Sequence, residues 1–290
     1  KGGTYRVGLE DKEFFDDLIK KNLNASLAIR TVPRSLFISL ISYFDHHLRS
    51  FFKIVFDVKP ELLNSKEKKI SIIEILELRD FQETREYLIN REVDQLMNES
   101  RLRCFEWLEE RLKIKFNFNP KLLKNFVELT ERRNLFVHSD GIVTKQYIST
   151  CKKKDISLDK ALKVGDRLTL SPEYFFRSCW TVYSLGVQLG QVVWRSLESK
   201  NLEDADVSLL NMTADLIGKN NNYTAGILLN FADQLNNYSS EKFRLMLVIN
   251  RALAMKFGGA QADAKKLLST CDWSAAESDL KLAVAIIKGN

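Results

Sequence analysis

The chain has 290 residues and is 45% hydrophobic, which is enough for a substantial core and for about two domains of ordinary size. Its 4 prolines and 12 glycines are too few for a turn-rich β protein, so the composition favours an all-α fold. The sequence shows no signal peptide and no apolar run long enough to span a membrane, so we expect no membrane partner. Its four scattered cysteines form no Cys-x-x-Cys pair, which argues against a zinc ribbon and favours a reducing, cytoplasmic location.

The net charge of +6 is unevenly distributed along the chain. Residues 201–290 contain nine Lys or Arg and ten Asp or Glu, a net of −1, which leaves +7 for the first 200 residues. A basic excess of this kind is typical of a phosphate-binding part of a protein, and ordinary solubility explains it equally well.

The first thirty residues are predicted to form a leader with one short amphipathic helix after Asp11, followed by a connection that ends at Pro33. Residues 35–57 then predict a helix that is apolar nearly all round and therefore central to a bundle. One narrow polar stripe remains on this helix: Ser35, Ser39, Ser42, His46, Arg49 and Lys53. The stripe is either the solvent face or the lining of a cleft in which His46, Arg49 and Lys53 contact phosphate.

Residues 70–78 and 80–112 are predicted to be helical, and their charges of both signs are typical of a solvated helix face. Residues 113–118 alternate between apolar and polar side chains, so they form either a short strand or an extended connection.

The next helix is marked at both ends. Asn119 is a candidate N-cap with Pro120 at the first helical position, and Gly141 stands where a left-handed residue ends a helix. Its apolar stripe, at spacings of three and four, contains Leu122, Phe126, Leu129 and Phe136. The position that the series skips is Arg133, and a guanidinium in an apolar stripe is costly unless it is paired or used. Asn134 and His138 follow, four residues apart and so on one face.

The run Arg133-Asn134-x-x-x-His138 resembles the RNxxxH motif of HEPN domains, over a region of about residues 31–200. The resemblance implies a helical bundle that acts as a metal-independent ribonuclease, without a cofactor, and as a homodimer with a composite active site. RNA supplies its own nucleophile, the 2′-OH. His138 is then the candidate base or acid, Arg133 stabilises the charge on phosphorus, and Asn134 orients the histidine or the helix end.

A basic segment follows the motif, in which Lys152, Lys153 and Lys154 either contact the RNA backbone or form a solvated loop. Residues 164–170 predict an extended strand or a turn. Ser171 and Pro172 then begin a helix that we expect to run to about Lys200.

From residue 201 to 290 the pattern changes to short helices, at about 204–218, 222–236, 240–257, 261–269 and 273–288. A small–large–small series occurs twice: Ala225, Leu229, Ala232 and then Ala264, Leu268, Cys271. This series resembles the signature of tetratricopeptide-type (TPR-like) helix pairs, which stack and bind partner proteins.

Two functions follow from these patterns. The first is a HEPN-type endoribonuclease, by family analogy a toxin or an antiphage defence effector, with a partner-binding C-terminal region. The second is a catalytically inert helical scaffold, in which Arg133 pairs with Glu131 or with a carboxylate of residues 83–99 and His138 caps the helix.

Overall fold

The computed structural model describes residues 8–63, 78, 80–159 and 161–289. In this part the chain forms eleven α-helices and no β-strand, so the prediction of an all-α fold is confirmed. The helices are α1 (Lys12–Val58), α2 (Phe81–Asn98), α3 (Arg101–Leu112), α4 (Pro120–His138), α5 (Lys145–Lys153), α6 (Pro172–Leu197), α7 (Glu203–Gly218), α8 (Asn222–Ala232), α9 (Glu241–Phe257), α10 (Gln261–Ser269) and α11 (Ser278–Lys288).

Helix α1 differs from its prediction. The sequence predicted a short helix, a connection ending at Pro33 and a second helix, whereas the structure has one helix of 47 residues that contains Pro33. Proline removes one hydrogen bond, to the carbonyl of Ile29. Ile29 is 76% exposed, so water reaches this part of the helix and can solvate the free carbonyl.

Several helix ends follow from local capping. Asp80, Ser100 and Thr144 each accept a hydrogen bond from a backbone N–H of the first turn of α2, α3 and α5. Ser100 explains why the helical region 80–112 is divided into two helices. The N-cap predicted for α4 is also present, because Asn119 Oδ1 accepts from the N–H of Lys121 at 2.8 Å.

Two segments were predicted as strand or connection, and neither is a strand in the structure. Residues 113–118 are an irregular connection in which Lys113 and Asn117 have positive φ angles. Near residues 164–170, Arg167 forms one isolated antiparallel bridge with Ile142. Most of the helix predicted over 70–78 lies outside the described residues.

The chain divides into two compact units, each built from two segments. The first contains Lys1–Phe44 and Leu123–Cys179, and the second contains Asp45–Leu122 and Trp180–Asn290. The division falls within α1, α4 and α6, and the boundary predicted at residue 200 lies inside the second unit.

The core of the first unit is aromatic. Phe37 of α1 contacts Phe136 of α4 and Tyr174 of α6, with both pairs of ring centroids 5.8 Å apart. Phe44 packs edge-on against Phe126 at 5.2 Å. These contacts fix α4, which carries the predicted motif, against α1 and α6.

In the second unit, helices α7 to α11 pack into two apolar clusters, and their positions agree with the five short helices predicted from the sequence. Ala225, Leu229, Ala264 and Leu268, from the repeated small–large–small series, are all buried. None of the helices in the described residues is both long and apolar enough to cross a membrane.

Candidate active site

The motif side chains lie on the last two turns of α4, and the chain reverses directly after it. The N–H groups of Ser139 and Gly141 both donate to the carbonyl of Leu135, each at 2.9 Å. Asp140 and Gly141 have φ angles of 48° and 77°, so two successive left-handed residues end the helix. A Cβ at Gly141 would lie 2.8 Å from Arg34 Nη2 and 2.9 Å from a Phe136 ring carbon, so only glycine fits.

Two arginines hold this turn through Asp140. Arg34 of α1 forms an ion pair with the Asp140 carboxylate and donates to its backbone carbonyl at 2.8 Å. Arg167 binds the other carboxylate oxygen and donates to the same carbonyl at 2.9 Å. Hydrogen bonds from Arg167 and then Arg34 lower the pKa of Asp140 to about 2. The turn after His138 is therefore fixed to two distant segments of the first unit.

Arg133 is the arginine of this region that finds no carboxylate. Its Nη1 lies 3.3 Å from Asn134 Oδ1, and its Nε is buried without a hydrogen-bond partner. Within the described part of the first unit it forms no ion pair, and the predicted alternative of pairing with Glu131 is not seen there. The pKa of the Glu131 carboxyl is raised by burial, whereas an ion pair with Arg133 would lower it. The half-buried guanidinium thus keeps an uncompensated charge, which an anion would satisfy.

His138 is the last residue of α4 and is exposed, as is Asn134 one turn before it. The imidazole has no hydrogen-bond partner among the described residues, so it does not cap the helix and is open to a ligand. Arg133 lies about 140° around the helix from His138. Asn134 shares the face of His138 and contacts Arg133, so its amide lies between the two.

A hydrogen-bond network centred on Glu128 of α4 was not predicted from the sequence. Glu128 accepts hydrogen bonds from Arg132 Nε at 2.8 Å and from the hydroxyls of Tyr147 at 2.7 Å and Tyr174. The Arg132 guanidinium also lies 4.0 Å above the Tyr174 ring. Burial, followed by the charge of Glu128, raises the pKa of both phenols. The four-residue spacing of Glu128 and Arg132 was the available sequence signal.

The other predicted RNA contacts are distributed over both units. In the second unit His46 is exposed and Lys53 half-buried, while Arg49 forms an ion pair with Asp94. In the first unit the end of α5 carries three exposed lysines, Lys152, Lys153 and Lys154.

Among residues 8–63, 78, 80–159 and 161–289, no group of three His, Cys, Asp or Glu side chains is placed to hold a metal ion. No protein-family model, curated protein or solved structure matches this chain.

Proposed function

We propose that the protein is a metal-independent endoribonuclease of the HEPN type, whose active site combines Arg133 and His138 from two copies of the chain. The observation that carries the proposal is the uncompensated guanidinium of Arg133 beside an exposed, unpartnered imidazole on one helix end. The surrounding arginines are already used, since Arg132 binds Glu128 while Arg34 and Arg167 bind Asp140.

The chemistry needs only these groups and the RNA. A base removes the proton of the 2′-OH, the oxygen attacks the adjacent phosphorus, and an acid protonates the departing 5′-oxygen. The guanidinium stabilises the extra negative charge on the phosphorane, because its planar fork matches phosphate oxygens. The products are a 2′,3′-cyclic phosphate and a 5′-hydroxyl.

The reaction needs both a general acid and a general base, whereas one copy of the chain supplies only one imidazole at this site. Because Arg133 and His138 point in different directions on α4, a second copy related by a two-fold axis completes the site with a second histidine. The exposed lysines 152–154 are suited to backbone phosphates outside the cleavage site.

The proposal is tested by incubating single-stranded RNA with the purified protein in EDTA and analysing the new ends by mass spectrometry. We expect cyclic phosphate ends, and a loss of at least about 100-fold in rate for His138→Ala and Arg133→Ala. His47→Ala, which changes an exposed histidine of the second unit, is the matched control and retains activity. Cleavage that requires a divalent metal, or that persists in His138→Ala, contradicts the proposal.

A catalytically inert scaffold is the second candidate. Leu282 and Ile286 lie four apart on α11 and are 61% and 60% exposed, an apolar pair suited to a partner protein. Absence of cleavage on any RNA, together with a partner whose binding is lost in Leu282→Gln/Ile286→Gln, favours this function. A toxin or defence role belongs to the first candidate, and it predicts growth arrest on expression that His138→Ala abolishes.

A further inference from the structure

Helix α6 buries a row of polar side chains along one face. Thr181, Ser184, Gln188, Gln191 and Arg195 follow one another at spacings of three and four, and each is at most 4% exposed. The whole row belongs to the second unit. Buried polar groups are costly unless they are hydrogen-bonded, so each member of the row requires a partner.

The last turn of this row is paired, and its middle is not. Gln191 Nε2 donates to the carbonyl of Ala205 at 3.1 Å, and Gln191 Oε1 accepts from Arg195 Nε at 3.2 Å. Ser184 Oγ, in contrast, is buried without a hydrogen-bond partner. Gln188 is one turn further on and 2% exposed, and its carboxamide forms no hydrogen bond with any described residue. The middle of the row therefore has unused donors and acceptors.

A cavity opens at this point of α6. Gln188 lines it together with six other residues of the second unit: Asn117, Asn119, Ile227, Asn230, Phe231 and Gln234. They come from the connection before α4 and from α8 with the residues that follow it. The volume of the cavity is about 60 Å³, which is room for about four waters or one small heterocycle. The unpaired amide of Gln188 therefore borders open space rather than packed protein.

The other polar side chains of the cavity are also carboxamides with unused hydrogen-bonding groups. Asn119 Oδ1 caps α4, which leaves the NH2 group of this side chain without a partner among the described residues. Asn117, Asn230 and Gln234 form no side-chain hydrogen bond with a described residue. None of the seven described lining residues is charged, so a phosphate or a carboxylate would be buried there without a counter-charge. The ligand that fits is neutral and presents donors and acceptors side by side.

A nucleobase has this chemistry. The carboxamide of Asn or Gln pairs through two hydrogen bonds with N6 and N7 of adenine, whereas the same edge of guanine offers only acceptors. The apolar side chains of Ile227 and Phe231 are suited to the flat faces of a base. A peptide repeats its amide groups about every 3.3 Å and needs an elongated groove. A small cavity with room for one heterocycle therefore favours a base over a peptide.

We propose that this cavity of the second unit binds an adenine base, with the Gln188 carboxamide paired to N6 and N7. The base belongs either to free adenosine or to a single strand of nucleic acid, and the hydrogen-bonding chemistry is the same for both. The inference does not depend on the ribonuclease proposal, because binding is measured without cleavage and Arg133 and His138 belong to the first unit.

The test is calorimetric titration of the full chain with two probes. The first is adenosine, and the second is a short oligodeoxyadenylate, which lacks the 2′-OH and so cannot be cleaved. We expect saturable binding of adenosine. Tighter binding of the oligomer identifies a nucleic acid strand as the source of the base, and binding of adenosine alone identifies the free nucleoside.

Two variants change the cavity. Gln188→Met removes the amide and conserves the volume, and we expect it to weaken adenosine binding about 10-fold or more. Asn230→Ala changes an exposed amide of α8, so it alters the cavity without disturbing the core, and we expect it to weaken binding as well. The matched control is Gln261→Met, which changes an exposed glutamine of the second unit outside the cavity and retains the wild-type affinity.

The proposal is overturned if adenosine shows no saturable binding, or if guanosine binds as tightly as adenosine. Undiminished affinity in Asn230→Ala and in a folded Gln188→Met overturns it too. Binding of N-acetylglutamine amide in place of adenosine would show that the cavity takes a peptide group, and it also contradicts the assignment to a base.

Discussion

Asp140 and Arg133, both near the end of α4, differ in whether their charges are compensated by an ion pair. Asp140 is exposed yet bound by two guanidinium groups, while the half-buried Arg133 has an amide oxygen at 3.3 Å and no carboxylate. The paired charge fixes the turn, and the unpaired charge stays available for a ligand. A structural role explains the first arrangement, and under the proposed function the second serves to bind a phosphate of RNA.

The first prediction concerns the effect of pH on the stability that Asp140 contributes. The two arginines lower the pKa of Asp140 to about 2, below the value of roughly 3.9 expected in the unfolded chain. Its contribution to stability is therefore complete above about pH 4 and is lost as the pH falls through about 2. Asp140→Asn removes the charge but keeps the shape, and asparagine tolerates the left-handed φ.

We accordingly expect urea midpoints of the wild type above those of Asp140→Asn at neutral pH, with the two converging as the pH falls from 4 towards 2. Asp155→Asn is a control, because Asp155 is also left-handed, exposed and paired, with Lys124, but lies outside the turn. A gap between wild type and Asp140→Asn that stays constant down to pH 2 contradicts the assignment.

The sequence was sufficient to single out Arg133, Asn134 and His138, because all three lie on one helix and helical spacing is a local property. Arg34 could not be assigned to the same place. It contacts Asp140 across a separation of 106 residues, and only the packing of α1 against α4 brings them together. The same holds for the contacts of Glu128 with Tyr147 and Tyr174.

Among the elements, α1 shows where local rules are insufficient. Proline disfavours the interior of a helix, and that rule predicted a break at Pro33. The break does not occur, because the buried positions Phe37 and Ile41 hold the helix beyond Pro33 and solvent surrounds it before that point. Helices α4 and α6 begin at their predicted caps, Asn119 and Ser171, and α7 to α11 lie close to the short helices predicted from apolar spacing.

A buried ion pair joins α6 to α7 and carries the second prediction. Arg195 is 3% exposed and Asp206 is fully buried, with Nη2 and Oδ1 2.6 Å apart. Asp206 also accepts from the N–H and hydroxyl of Ser239, and Arg195 donates to the carbonyl of Asn237. The buried Asp206 carboxylate thus accepts hydrogen bonds from both Arg195 and Ser239.

Removing one member of such a pair leaves a buried charge, so Asp206→Ala is expected to lower the free energy of unfolding by about 3–5 kcal/mol. The control is Asp215→Ala, which breaks the exposed ion pair with Lys219 and is expected to have a much smaller effect, because water screens these two charges. Denaturant unfolding measures both. Equal effects of the two variants would show that the buried pair is not needed to hold α7.

For the whole molecule, the units do not follow the order of the chain. The boundary at residue 200 was predicted from a change in helix length and charge. In the structure, the second of the two segments that form the second unit starts earlier, at Trp180. Trp180, Tyr183 and Val187 of α6 pack against the cluster formed by α7, α8 and α9. Helix α6 therefore belongs to both units, which no local pattern could indicate.

The third prediction follows from this arrangement. A chain ending at Lys200 loses the partners of Trp180, Tyr183 and Val187, so we expect it to bind 8-anilinonaphthalene-1-sulfonate and to aggregate, as proteins with exposed apolar surface do. Fluorescence of the dye and gel filtration, compared with the full chain, measure this. A soluble fragment 1–200 that unfolds cooperatively and ignores the dye would instead support a domain limit at residue 200.

Pro33 immediately precedes Arg34, which holds Asp140, so a position of α1 that lacks a backbone hydrogen bond is adjacent to the residue that fixes the turn after His138. Pro33→Ala restores the N–H of this position, so its effect is expected first at the contact between Arg34 and Asp140.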